Sequence, residues 1–107
     1  MVQEITVEDL KQWQDTGKLY QLIDVREASE YSVNIGGEHI PLGEIMAKRQ
    51  QIADDRPVVM QCRSGMRSAN AILMLQQYFP DEYPNLVNLK GGILAWKAAY
   101  APDLNVF

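Results

Sequence analysis

Residues 58–79 constrain the fold more than any other part of this chain. Val-Val-Met-Gln at 58–61 predicts a short buried strand. A polar segment, Cys-Arg-Ser-Gly-Met-Arg-Ser, follows at 62–68, and residues 69–79 then place apolar side chains at helical spacing. A buried strand that leads directly into a helix is the basic unit of an α/β domain, in which a mostly parallel sheet is covered by helices.

The rest of the chain repeats this alternation of strand and helix. Thr6 and Asp9 have the spacing of a capping box, and Gly17 suits the end of the helix that they begin. The 107 residues are the common size of one domain, so we expect a single α/β domain over 1–107, with a mainly parallel sheet and helices on both faces. The pattern predicts further strands at 5, 19–25, 39–42 and 86–89, and helices at 7–16, 26–31, 45–53 and 93–100.

The composition excludes several classes of function. A net charge of −4 gives no overall attraction to nucleic acid or to an anionic membrane surface. No apolar run approaches the ~20 residues of a membrane helix, and the first residues lack the basic and apolar segments of a signal peptide. The single cysteine excludes an internal disulfide, a redox pair and a cysteine-rich zinc site. We therefore expect a cytoplasmic protein with neither a membrane nor a nucleic-acid partner.

Cys62 is the principal candidate for chemistry. Backbone N–H groups at the start of a helix lack intrahelical partners, and they stabilise a thiolate placed between a strand and a helix. Gly65 allows the loop to turn its N–H groups inward, while Arg63 and Arg67 add positive charge for an anionic substrate. A free cysteine is otherwise often a buried structural residue, but the polar and small neighbours of Cys62 do not resemble a core.

The polar segment resembles the active-site loop of the rhodanese-like sulfurtransferases. Residues 22–27, with Glu30 and Tyr31 after them, resemble the first motif of that family. Residues 40–42 resemble the second motif, and residues 89–93 with Ala95 and Trp96 resemble the last. The motifs stand in the family order and extend over nearly the whole chain.

The resemblance implies a rhodanese fold, with about five parallel strands, and a reaction in two steps that needs neither a metal nor an organic cofactor. Cys62 would take the outer sulfur of thiosulfate, or of another small anionic donor, as a persulfide. Cyanide, a thiol or a protein would then accept that sulfur. By position, the donor and the sulfur would be bound by the loop residues Arg63, Ser64, Gly65, Met66, Arg67 and Ser68. Ser68 has a second interpretation as the cap of the following helix.

Three charged residues near the end of the second predicted strand could support the site. Asp24, Arg26 and Glu30 either frame the pocket or pair with other charges, for example with Arg67, and hold the loop. We favour the pairing role. His39, the only histidine, is interpreted as a surface residue, because a thiolate stabilised by N–H groups needs no base. Residues 34–39 differ from the common family form and are similar to rhodanese domains of enzymes that activate sulfur carrier proteins, so a protein acceptor is one implication.

Two other functions compete with sulfur transfer by an independent enzyme. One is a sulfur-relay carrier or regulatory module that acts with a protein partner. The other is a cysteine phosphatase or an arsenate reductase, which place their arginine after five intervening residues. Here four residues separate Cys62 from Arg67, and the shorter loop suits sulfur better than a tetrahedral phosphate.

Overall fold

The computed structural model describes residues 2–106, and its centre is one parallel sheet. The strands are β1 (Glu4–Ile5), β2 (Gln21–Asp24), β3 (Glu38–His39), β4 (Val58–Gln61) and β5 (Leu86–Leu89). Their order is β1-β5-β4-β2-β3, and every neighbouring pair is parallel. β4 therefore lies in the middle of the sheet, and the chain leaves it at the edge where parallel α/β sheets bind ligands.

Helices cover both faces of the sheet, as predicted. The segment between β3 and β4 also contains two short 3₁₀ turns, Leu42–Glu44 and Arg49–Gln51. Within residues 2–106, no helix combines the length and the apolar content needed to cross a bilayer. The helices are α1 (Val7–Thr16), α2 (Ala28–Tyr31), α3 (Met66–Tyr78) and α4 (Gly92–Tyr100).

The side chains of β4 alternate between the two layers of the core. Val58 and Met60 pack with Ile72 and other residues of α3, whereas Val59 packs on the opposite face with Leu10 of α1. This alternation follows from the two-residue repeat of a strand. All four residues of β4 are buried, so burial on both faces explains why their sequence reads as a nearly continuous apolar run.

The helix predicted over 45–53 is wrong, because this segment forms only 3₁₀ turns and bends. Gln21 of β2 binds its far end: Gln21 Nε2 donates to the carbonyl of Gln51 over 2.9 Å, and Ala53 N donates to Gln21 Oε1 over 2.7 Å. Ile45 and Ile52 are buried as anchors of the segment. Packing and side-chain bonds thus override the local helical preference.

The start of α4 is held against the loop that follows β4. Ile93 N donates to the carbonyl of Cys62 over 2.9 Å, and Leu94 N donates to the carbonyl of Arg63 over 3.1 Å. Gly92 makes this approach feasible, because its φ is +59° and a Cβ there would overlap the Cys62 carbonyl and lie 2.7 Å from the Arg63 carbonyl. The first turn of α4 therefore helps to set the position of the cysteine.

We expect Gly92→Ala to lower the free energy of unfolding by about 2 kcal/mol or more, because it combines a strained φ with an overlap against backbone. Gly43→Ala is the matched control, since its Cβ meets no atom within 4 Å, and we expect a change below about 1 kcal/mol. Urea unfolding measures both variants. Equal stability of the two would contradict the close approach of α4 to the loop.

Candidate active site

The loop 62–65 joins the end of β4 to the start of α3. Gly65 is the N-cap residue of α3 and has a φ of +98°, which favours glycine. This conformation turns the chain back, so that the N–H group of Gly65 donates to Cys62 Sγ over 3.1 Å. The cysteine thus sits at the N-terminus of a helix, where unpaired N–H groups and the helix dipole favour a negative charge.

The sulfur of Cys62 is buried among hydrogen-bond donors. Cys62 is only 1% exposed, and Ser68 Oγ lies 3.4 Å from its Sγ. Burial acts to raise the pKa of the Cys62 thiol, but hydrogen bonds from the Ser68 hydroxyl and from the N–H groups of Ser68, Gly65 and Ser64 outweigh it. The net result is a pKa below the usual value, which enlarges the fraction of reactive thiolate at neutral pH.

Ser68 belongs to a buried polar cluster rather than to the helix cap. The N-cap of α3 is Gly65, so the alternative role of Ser68 as a cap is wrong. α3 begins at Met66, three residues earlier than predicted, and this places Ser68 in its first turn. From there the Ser68 hydroxyl lies 2.5 Å from Asn88 Oδ1 as well as 3.4 Å from Cys62 Sγ.

Asn88 of β5 is a site residue that the sequence analysis missed. It is 1% exposed, and its Nδ2 donates to the carbonyl of Gly65 and to Glu4 Oε2, each over 3.0 Å. The signal for it was an asparagine inside an otherwise apolar strand, since asparagine is depleted in strands. Its importance depends on α3 packing over β5, which a pattern of single residues does not reveal.

Arg67 is bound to a carboxylate on a neighbouring helix. Its Nη1 and Nη2 lie 2.7 and 2.8 Å from the two carboxylate oxygens of Glu30 in α2. This bidentate pair is the structural role that the sequence analysis favoured for Glu30. It ties the start of α3 to α2 and leaves the charge of Arg67 largely balanced.

Asp24 and Arg26 lie in the interior and do not line the loop opening. They form a buried ion pair of 2.8 Å, and Gln61 Nε2 also donates to Asp24 over 2.6 Å. His39 is half-buried, and its interpretation as a surface residue rather than a base stays a prediction. Its Nε2 is bonded to the carbonyl of Arg26 over 2.6 Å, and its ring stacks on Tyr31.

The remaining loop residues face solvent beside the buried sulfur. Arg63 and Ser64 are exposed, and Met66 is 73% exposed at the first position of α3. The candidate site therefore combines a buried sulfur with an exposed rim that carries a positive charge. The structure is thus an α/β protein in which a cysteine lies among N–H groups in the loop at the carboxyl edge of a parallel sheet.

The profile of the Rhodanese-like domain matches residues 6–99, and the chain belongs to this family. It is 36% identical over 98 residues to a protein of Allochromatium vinosum named "Sulfurtransferase", covering 90% of this chain and 89% of that protein. It is also 36% identical over 110 residues to the "Probable adenylyltransferase/sulfurtransferase MoeZ" of Mycobacterium tuberculosis. That match covers 96% of this chain but 26% of MoeZ, so the chain spans about a quarter of that relative.

A solved structure agrees with the assignment. The rhodanese-related protein of Thermoplasma volcanium has a TM-score of 0.76 and 28% identity, covering 98% of this chain and 97% of its own. The rhodanese resemblance of the motifs and the predicted α/β fold are thereby confirmed.

The Glu30–Arg67 pair predicts a pH-dependent stability. Hydrogen bonds from Arg67 lower the pKa of Glu30 from 4.5 to about 2, so the pair stabilises the fold above pH 4.5 and is lost as the pH falls toward 2. We expect Glu30→Gln to cost about 1–2 kcal/mol at pH 7, with the difference from the parent shrinking below pH 4.5.

Urea unfolding at a series of pH values measures this difference. Glu8→Gln is the control, because Glu8 is an exposed residue of α1, and we expect it to change stability by less than about 0.5 kcal/mol. A Glu30→Gln effect that did not shrink in acid would refute the pairing as its cause.

Proposed function

We propose that the protein is a sulfurtransferase in which Cys62 carries the transferred sulfur as a persulfide. The observation that carries this proposal is the arrangement around Cys62 Sγ, where N–H groups and the Ser68 hydroxyl stabilise a negative sulfur. The N–H groups of the loop would stabilise the terminal sulfur of a persulfide as well, because that sulfur also bears a negative charge. The name of the Allochromatium vinosum relative supports this class of activity.

In the first step the Cys62 thiolate attacks the outer sulfur of the donor. With thiosulfate, a new S–S bond forms on Cys62, and the bond between the two sulfurs of thiosulfate breaks. Sulfite leaves with the electron pair of that bond, and the negative charge of the thiolate moves to the outer sulfur of the persulfide. No proton is transferred, so the step needs no general base.

In the second step a nucleophile takes the outer sulfur and regenerates the thiolate. Cyanide leaves as thiocyanate, and a thiolate acceptor leaves as a new persulfide. A protein acceptor fits the same chemistry, and a carrier that exchanges sulfur only with a partner is the second candidate function. The match to one part of MoeZ favours that candidate, because MoeZ joins such a segment to a longer chain. A reducing compartment such as the cytoplasm suits either function, since both need a free thiol.

Two features of the loop favour sulfur over phosphate chemistry. Four residues, rather than five, separate Cys62 from Arg67. Both terminal nitrogens of Arg67 are engaged by Glu30, whereas a bound phosphate would need a guanidinium of this kind for a bidentate contact. We assign the anionic donor to the loop N–H groups and to Arg63, which is exposed next to Cys62, with Arg67 holding the loop in place.

The persulfide is tested by intact mass spectrometry. Incubation with thiosulfate is expected to add the mass of one sulfur atom, and cyanide is expected to remove it. Cys62→Ala should gain nothing, and as the chain has one cysteine the site is unambiguous. Failure to load from thiosulfate and from small persulfide donors alike would reject the proposal. Loading without turnover until a protein acceptor is supplied would select the carrier.

The assignment of the arginines predicts a difference between two variants. We expect Arg63→Ala to raise KM for thiosulfate about tenfold with little loss of stability, which corresponds to one charge-assisted hydrogen bond. Arg67→Ala should also raise KM, but with a measurable loss of stability through Glu30. Arg56→Ala, in the turn before β4, is the control for charge alone. Unchanged KM values in both loop variants would exclude a role for these arginines in donor binding.

A further inference from the structure

The Ser68 hydroxyl lies between two acceptors. Its Oγ is 2.5 Å from Asn88 Oδ1 and 3.4 Å from Cys62 Sγ. A serine hydroxyl has one proton to donate, so it cannot donate to both atoms at once. All three residues are buried, which leaves little access for water to supply a replacement donor.

The orientation of the Asn88 amide is determined by its other contacts. Nδ2 carries two protons, and two atoms that can only accept, the Gly65 carbonyl oxygen and Glu4 Oε2, each lie 3.0 Å from it. Reversing the amide would place Oδ1 against both acceptors. Oδ1 must therefore face Ser68, and it can only accept the Ser68 proton.

The position of the Ser68 proton then depends on the state of Cys62. When Cys62 is a thiol, Ser68 donates to Asn88 and its lone pair can accept the S–H group. When Cys62 is a thiolate, the Ser68 proton turns to Sγ, and Asn88 Oδ1 loses its donor. Ionisation of the cysteine thus breaks a buried hydrogen bond, which opposes it.

We propose that Asn88 is a positioning residue that competes with Cys62 for the Ser68 proton, and that this competition favours the persulfide over the free thiolate. The claim that the persulfide is favoured rests on the proposed function. In the persulfide the negative charge lies on the outer sulfur, and Sγ is bonded to both Cβ and that sulfur. The Ser68 proton can then return to Asn88, so the bond lost on ionisation is regained when the sulfur is taken up.

The charged groups around the sulfur act on the Cys62 thiolate by their charge, as Arg67 does, and not by accepting the Ser68 proton. Arg67 faces it from α3 and is paired with Glu30 of α2, while Glu4 of β1 is reached only through Asn88. Arg63 lies on the exposed part of the loop. Asn88→Ala leaves these charges in the chain, but it removes the Nδ2 contacts to Gly65 and Glu4 together with the acceptor for Ser68.

The test is the pKa of Cys62 from the ultraviolet absorbance of the thiolate against pH, with Cys62→Ala as the blank. We expect Asn88→Ala to lower the pKa by about 0.5 to 1, a three- to tenfold larger thiolate fraction below the pKa, because Ser68 no longer has a second acceptor. Ser68→Ala should raise the pKa. Asn70 is an exposed residue of α3, the helix that contains Ser68. Asn70→Ala is therefore the control and should leave the pKa of Cys62 unchanged.

A double variant separates this mechanism from a general loosening of the loop. If Asn88 acts through Ser68, its effect disappears in the Ser68→Ala background. If Asn88→Ala instead loosens the loop through the lost contact to Gly65, the pKa rises and the effect persists in that background, which would overturn the proposal. Asn88→Val, which suits a strand better, is measured in the same way in case the alanine variant does not fold.

The effect of Asn88 on the stability of the persulfide is measured separately. At a fixed ratio of thiosulfate to sulfite, we expect Asn88→Ala to show a three- to tenfold lower ratio of persulfide to free thiolate, judged by intact mass and corrected for the measured pKa. An unchanged ratio would overturn the claim that the persulfide is favoured. The pKa experiment uses no sulfur donor, so a protein that shows the pKa changes but never loads sulfur would reject the proposed function and leave the competition intact.

Discussion

The position of Cys62 depends on one constraint, which is that its loop must bond to the starts of two helices at once. α3 offers the N–H groups that surround Sγ, and the first turn of α4 binds the carbonyl groups of Cys62 and Arg63. The loop backbone therefore has its donors turned toward the sulfur and its acceptors turned toward α4. A loop that bent the other way would bury its own carbonyls unpaired and present no donors to an anion.

Burial has two opposite effects on the cysteine loop. The same low exposure that keeps the loop rigid disfavours the charged thiolate, so the donors must outweigh a desolvation cost before the cysteine becomes reactive. Ser68 and Asn88 contribute to this balance where α3 packs over β5, because the Ser68 hydroxyl lies between Cys62 Sγ and Asn88 Oδ1. Asn88 also holds the carbonyl of Gly65, and it thereby links the conformation of the loop to the hydrogen bonding of the hydroxyl.

Two of the arginines near the site, Arg67 and Arg26, are paired with carboxylates of the fold. The carboxylate of Glu30 accepts from both terminal nitrogens of Arg67, and Asp24 forms a buried ion pair with Arg26. Arg67 thus joins α3 to α2, whereas Arg26 pairs locally with Asp24 and also donates to the carbonyl of Val33 over 2.8 Å. For an anionic donor this leaves a site built mainly of backbone N–H groups, which hold fixed positions and do not have to be desolvated as mobile side chains do.

The sequence by itself determined the alternation of strands and helices outside 45–53, the place of Cys62 after a buried strand, and the family, because these follow from local periodicity and from motifs of contiguous residues. The pairing of Glu30 was also foreseen as one of two alternatives, since opposite charges near one strand edge allow few arrangements. The tertiary structure alone decided that Asn88 reaches the site, that His39 is half-buried, and that 45–53 forms turns. Each of these depends on contacts between residues far apart in the chain, such as Gln21 with Ala53 or Ser68 with Asn88, and such contacts leave no periodic signal.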